Sequence, residues 1–289
     1  MFLIEVLLNG AVLGGMYALT ALGLNLQYGV ARIMNLSYGE FLMLAAFCGF
    51  WLFTSYQIDP LLTMLFAVPV TFAANWLIYQ LLLVPLIRRA PNRDALEADS
   101  ILVTFGLLFV IQGGAMLEWG AQFRGYSYLA VPLHLGPLTF ALNRVLAFAA
   151  ACAIGIAAYG VLRFTRTGTA IRALAVDPVS AQLVAINVRR LSALAFASGG
   201  AMVAAAGTLI SLFLSFNPTV GITYTLKALI VMVMGGIGNM AGSLLAGIIL
   251  GVAESLGAYL VDPGLTLAIN YAIFMLILLL RPTGLFSRA

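Results

Sequence analysis

Charge is what this sequence has least of. Asp, Glu, Lys and Arg together make up 8% of its 289 residues, against roughly 25% in an ordinary soluble domain, so the usual water-facing surface cannot be built from it. There is one histidine, His134, and one lysine, Lys227. Neither a metal cluster nor a histidine-based catalytic triad can be assembled from so few. Lys227 is followed by alanine and no GxxxxGK[ST] phosphate loop exists, so any ATP-driven function needs ATP and Mg to be bound by a partner chain. The two cysteines, Cys48 and Cys152, both fall inside apolar stretches, which argues against a disulfide framework or a thiolate metal site. No polar tract is long enough to fold into a soluble domain of its own.

What is there is apolar: 63% of residues are hydrophobic and the mean hydropathy is +1.08. Apolar stretches of about 16 to 27 residues recur along the chain, close to the roughly 20 needed to cross a hydrocarbon core of about 30 Å as a helix. The sequence therefore predicts an all-α, polytopic transmembrane bundle in a single domain, 1–289, with about nine spans. They are Val6–Tyr28, Tyr38–Phe53, Leu61–Ile87, Ser100–Trp119, Arg144–Leu162, Leu191–Phe213, Ile222–Met234, Gly242–Leu260 and Leu265–Leu280. The first opens with Glu5, has no basic segment before it and is too long for a signal-peptide core, so it reads as a retained span. The seventh is short and is broken at once by Gly235, Gly236 and Gly238, a pattern shared with half-membrane segments.

Lys and Arg concentrate in short cytoplasmic loops. If all nine segments cross, one side holds Arg32, Arg88, Arg89, Arg93, Arg163, Arg166, Arg172, Arg189, Arg190, Arg281 and Arg288, eleven of the fourteen basic residues. The other side holds Arg124, Arg144 and Lys227. A seventh segment that only dips in weakens the contrast, which favours nine crossings with the N-terminus outside and the C-terminus cytoplasmic. The net charge of +4 then follows from orientation and requires no nucleic acid, since the basic residues lie between spans and not on one folded surface.

Small residues recur at helix-packing intervals. Gly10–Gly14, Gly238–Gly242 and Gly247–Gly251 are GxxxG pairs, and 193–207 is almost all Ala, Gly and Ser; such faces let helices approach closely in lipid. A faint self-similarity links 19–41 with 226–247, a pattern that mixed Gly and apolar text also produces by chance.

Polar residues cluster between the first two spans, where Asn25, Gln27 and Asn35 lead into Ser37 and Glu40. Ser37 with Glu40 three residues on reads as a capping box at the start of a helix, and that helix N-terminus, beside a break, is also able to face the polar end of a substrate. Asn25, Gln27, Asn35, Ser37, Glu40 and, further on, Gln112 are the candidates for a translocation path; joining helices by hydrogen bonds is the alternative role. Lys227 and Glu254 sit at roughly similar depths in the seventh and eighth spans, about 8 to 9 Å from the outer ends, so an ion pair between them is expected, with separate polar partners as the alternative.

The longest polar interval on the basic side is Arg163–Arg190. Thr167-Gly168 begins one short helix through Arg172 and Ala175, and Asp177-Pro178 begins another, Asp as N-cap and Pro at the first helical position. The second helix is expected to run to about Ile186, with Ala181, Val184 and Ala185 as a small docking face. An amphipathic helix lying on lipid is the competing reading.

Tyr17-Ala18-Leu19, Ala21-Leu22-Gly23-Leu24-Asn25, Asn35-Leu36-Ser37-Tyr38-Gly39-Glu40-Phe41, Thr167-Gly168-Thr169-Ala170-Ile171-Arg172-Ala173, Asp177-Pro178 and Arg281-Pro282-Thr283-Gly284-Leu285-Phe286, in this order, resemble the branched-chain amino acid ABC transporter permeases, more closely the first-permease type than its longer sister. The resemblance runs from near residue 9 to the C-terminus. It implies a complex in the bacterial cytoplasmic (inner) membrane: a second homologous permease, two ATPase subunits beneath, and a periplasmic substrate-binding protein. It also implies that 163–190 is the coupling loop, with 177–186 in a groove of the ATPase and Thr167, Gly168 and Arg172 bracing it. Members often have glycine where this chain has Ala185 before Ile186, and histidine where it has Tyr38. The second departure leaves the substrate class open, because relatives also import urea, amides or aromatic acids. The residues alone also leave room for an ATP-independent secondary transporter or channel.

Overall fold

The computed structural model describes residues 2–135, 138–281 and 283–286; Pro282 of the C-terminal motif and Arg288 of the charge count lie outside them. The chain is a helical bundle. In order it forms α1 (Phe2–Ala31), α2 (Tyr38–Tyr56), α3 (Pro60–Ile78), a wider π-type turn (Tyr79–Leu83) running into α4 (Val84–Arg89), and α5 (Arg93–Trp119). After a loop and a two-stranded hairpin come α6 (Leu142–Phe164), α7 (Arg166–Val176), α8 (Pro178–Leu183), α9 (Val188–Ser211), α10 (Val220–Gly235), α11 (Met240–Leu260) and α12 (Thr266–Leu280).

Eight of these helical stretches are long and apolar enough to cross a membrane, and the shorter apolar α10 lies among them. The expected spans match them to within a few residues. The hairpin, β1 (Pro132–Leu135) antiparallel to β2 (Leu138–Ala141), was not anticipated, because it lies in a loop and pairs only with itself. Beside it, Tyr128 Oη donates to Asp59 Oδ2 at 2.7 Å and Tyr126 Oη lies 2.8 Å from Ser211 Oγ. Burial pushes both phenols up to about 12, and the two contacts tie the loop to the ends of α3 and α9.

Lipid offers no hydrophobic drive between helices, so close backbone approach decides the packing. The α1–α11 crossing shows it: a Cβ on Gly14 would lie 2.6 Å from Ile248 Cα, one on Gly10 2.7 Å from Val252 Cα, and one on Gly247 2.5 Å from Ala18 Cα. Gly251 meets the backbone of Gly14 in the same seam. The Ala/Gly/Ser stretch places α9 at the centre, where nearly every residue from Ser192 to Ser211 is buried. Gly238–Gly242 is not such a pair. Gly238 sits in the loop before α11 at φ +84° with open space around it, and only Gly242 packs, against the Gly235 carbonyl.

Two connections turn back into the bundle. The Tyr38 hydroxyl at the start of α2 donates to Thr20 O at 2.8 Å, and Thr20 lies eleven residues, about 16 Å along the axis, before the end of α1. Residues 32–37 therefore run back inside, without helix, before α2 begins. Similarly, Ser211 at the end of α9 lies beside Gly49, whereas Gly221 at the start of α10 lies against Gly39. The chain between them retraces about 15 Å of α2 in non-helical form, with Phe216 buried against Phe47. With 16 residues, α10 itself spans only about 24 Å, which explains why it read as short.

Candidate functional site

Non-helical backbone at membrane depth persists only where its polar groups find partners inside the protein. The polar residues of the first break supply them. Asn25 donates to Ser243 Oγ at 2.8 Å and accepts from the Gly238 amide at 2.6 Å, closing the gap between α10 and α11. Gln27 donates to Phe196 O at 2.7 Å and accepts from Asn35 at 3.1 Å; Ser37 in turn donates to Asn35 Oδ1 at 2.8 Å. Thr104 accepts from the Leu36 amide and donates to Met34 O, and Thr225 accepts from the Gly39 amide at 2.8 Å. The 19–41 and 226–247 stretches are both helix–break–helix units, and Asn25 stitches one to the other.

Asn25, Gln27, Asn35 and Ser37 are at most 1% exposed and spend their hydrogen bonds on one another and on backbone. In this arrangement their hydrogen bonds join helices, the alternative role expected for them. Gln112 is half-buried on α5. Glu40 differs from all of them: it is fully buried, and neither carboxylate oxygen has a hydrogen-bond partner. It packs against Gly221 in the first turn of α10, where a Cβ would lie 2.5 Å from its Oε1.

The capping box is not formed. Ser37 has φ −79° and ψ 5° and makes no side-chain cap bond; a compact backbone at this position turns the hydroxyl away from the α2 amides and toward Asn35. The Glu40 amide is met instead by the Ser37 carbonyl at 3.1 Å.

Lys227 and Glu254 do meet. Lys227 Nζ lies 2.7 Å from Glu254 Oε1 and donates to Tyr17 Oη at 2.7 Å, while Asn270 donates to Glu254 Oε2 at 2.8 Å. The ammonium also stands 4.6 Å from the Tyr17 ring centroid, a cation–π distance. Four helices, α1, α10, α11 and α12, converge on this network. Tyr17 and Asn270 were missed in the sequence as partners, where only formal charge marks one.

In the arginine-rich interval, α7 starts one residue earlier than Thr167: Thr165 is the cap, its Oγ1 accepting from the Gly168 amide at 3.0 Å. Gly168 is buried so close to α6 that a Cβ would lie 2.5 Å from Leu162 Cα. Arg172 reaches back to Arg163 O at 3.3 Å, and Thr167 is exposed. Asp177 caps α8, its Oδ1 accepting from the Ser180 amide at 3.2 Å, with Pro178 at the first helical position.

Two expectations for this helix need correction. It ends at Leu183 and not near Ile186, because Ala185 turns into the left-handed region at φ +59°, and the Ile186 amide then closes on Ala181 O at 3.2 Å. A glycine occupies that backbone region without steric cost. Ala181 is not on a docking face: it is 4% exposed and packs inward with Leu26, Val30, Leu174 and Ala195, with Ile186 against the same cluster. The outward residues are Gln182, Leu183, Val184 and Ala185, Leu183 being 84% and Val184 70% exposed; Val184 and Ala185 face out as expected.

Against known proteins, the family described as "Branched-chain amino acid transport system / permease component" matches residues 6–280. The high-affinity branched-chain amino acid transport system permease protein LivH of Salmonella typhimurium is 29% identical over all of this chain and 96% of its own length. LivH of Escherichia coli K12 is 27% identical over the same shares. BraD of Pseudomonas aeruginosa, described in the same words, is 26% identical over 99% of this chain and 96% of its own. No solved structure matches the chain.

Proposed function

Since this chain belongs to the family of branched-chain amino acid transport system permease components, we propose that it is a permease subunit of an ATP-binding-cassette importer, carrying branched-chain or related amino acids across the bacterial cytoplasmic membrane. ATP is bound and hydrolysed by two partner subunits, a second homologous permease completes the membrane unit, and a binding protein outside delivers the ligand. Eleven of the fourteen basic residues on one side support an N-terminus outside and the arginine-rich loop in the cytoplasm. The observation that carries the reading is α8: a helix begun by Asp177-Pro178, fixed from behind by Ala181, with Leu183 and Val184 left facing out. An exposed leucine on the last residue of so short a helix, with an exposed valine just past it, suits a groove on a partner better than water.

A secondary carrier working without ATP is less well supported. Its coupling ion would need an available charged group inside the membrane, and the charges of Lys227 and Glu254 neutralise each other. That leaves the buried Glu40, whose carboxylate has no hydrogen-bond partner among the described residues, as the group such a carrier would use, and the permease family match is what weighs against it. The test is to purify the tagged chain from its native host, identify what accompanies it, and reconstitute the complex in vesicles. The proposal expects a second permease and an ATPase in the complex, and leucine uptake that stops when ATP is withheld. Uptake by the chain alone, driven by an ion gradient, would overturn it.

A further inference from the structure

We infer that the cavity between the ends of α6, α7 and α11 is a binding site for the headgroup of an anionic phospholipid. The cavity holds about 1010 Å³ and is lined by Arg32, Arg163 and Arg172, with no Asp or Glu in its wall among the described residues. Gly238 and Asn239 also line it, their amides already bonded to Asn25 and Phe286, which leaves the arginines as the donors. The neighbouring cavity, about 750 Å³, shows the contrast: its arginines Arg32, Arg88 and Arg189 share the space with Asp94 and Glu97. Three guanidiniums, Arg32 shared with the neighbouring cavity, around one space with no carboxylate among its described wall residues call for an anion from outside the chain.

Arg163 and Arg172 are held in place and still have donors to give. Arg163 Nη1 donates to Tyr159 Oη at 2.7 Å, and Arg172 Nη2 reaches Arg163 O at 3.3 Å and Thr169 Oγ1 at 3.4 Å. A guanidinium carries five N–H donors, so most remain available to phosphate oxygens, which it matches in a bidentate fork.

A lipid is favoured over a soluble anion by what adjoins the arginines. Leu245 lines the cavity and is 50% exposed, and Val161 and Ile249, 55% and 42% exposed, continue an apolar face along the outside of α6 and α11. The charged part lies at the helix ends, where headgroups sit, and the apolar face runs from there along the spans, as acyl chains do. The site is separate from the proposed partner contact: Pro178 and Gln182 of α8 line the other cavity.

The test uses the full chain with the partners it retains, delipidated in detergent, then titrated with phosphatidylglycerol or phosphatidylcholine of the same acyl chains. Bound lipid is counted by native mass spectrometry and thermal stability is followed in parallel. Phosphatidylglycerol should bind and stabilise in preference to phosphatidylcholine, and Arg32→Gln with Arg163→Gln should weaken that binding roughly thirty-fold, whereas Arg88→Gln should not. If the double variant does not fold, Leu245→Trp, which narrows the apolar side and keeps every arginine, should abolish the preference instead. Equal binding of the two lipids overturns the inference. So does an equal effect of inorganic phosphate, which would make this a soluble-anion site. Loss of ATPase co-purification from the double variant, with lipid preference intact, would reassign the arginines to protein docking.

Discussion

Lys227 and Glu254 sit 2.7 Å apart in the interior of the bundle, 7% and 8% exposed, with Tyr17 and Asn270 taking further hydrogen bonds of the pair. Breaking a buried pair from one side leaves an uncompensated charge and typically costs about 3–5 kcal/mol, whereas removing both partners together costs far less. Lys227→Met alone should therefore lower the thermal midpoint of the solubilised protein sharply, and Lys227→Met with Glu254→Gln should recover most of the loss. Equal losses in the single and double variants would contradict the coupling.

Glycines that look alike in the sequence should respond differently. Gly14→Ala and Gly251→Ala place a methyl against backbone that cannot move aside, and overpacking of this kind costs about 1–3 kcal/mol. Gly106→Ala puts the same methyl into open space and should stay within about 0.5 kcal/mol of the parent. Thermal unfolding of the three variants checks this; comparable losses at all three sites would show that the α1–α11 seam is not the close contact described.

Orientation is open to direct measurement in cells. Ser127 and Arg166 are both exposed, at opposite ends of the bundle, and Arg166 is a better probe than the adjacent Thr165, which caps α7. In a background without Cys48 and Cys152, an impermeant thiol reagent on intact cells should label Ser127→Cys and spare Arg166→Cys. The reverse pattern would invert the topology.

The exposed residues at and just past the end of α8 should matter to a partner and the buried one to the loop itself. Leu183→Glu and Val184→Glu should leave the thermal midpoint unchanged and cut ligand-stimulated ATP hydrolysis by the reconstituted complex at least about tenfold, the equivalent of 1.4 kcal/mol of lost contact. Ala181→Trp should instead destabilise this chain by about 1–3 kcal/mol through overpacking, and Asp177→Ala by about 1 kcal/mol through loss of the cap. Undiminished hydrolysis with Leu183→Glu would exclude α8 as the coupling contact.

The sequence by itself determined the features that depend on a residue's immediate neighbours or on depth alone. Apolar runs placed the helices to within a few residues because a lipid-crossing helix satisfies its own backbone. Asp177-Pro178 set the start of α8 because capping is local, and the similar depths of Lys227 and Glu254 anticipated their pairing. Only the tertiary structure decided the rest. Ser37 and Glu40 have the spacing of a capping box, but the chain turns back into the bundle there, so Ser37 bonds Asn35 and Glu40 is pressed against Gly221. Ala181 and Val184 are both small and apolar in the text, yet one faces Leu26 and Leu174 while the other faces out. The hydrogen-bond partners of Asn25 and Gln27 are hidden from the sequence because the backbone they serve, at Gly236–Asn239 and Phe196, arrives from more than 160 positions away. Which face is buried, and where a side chain's hydrogen bonds go, is set by the segment packed against it, and that segment is distant in the chain.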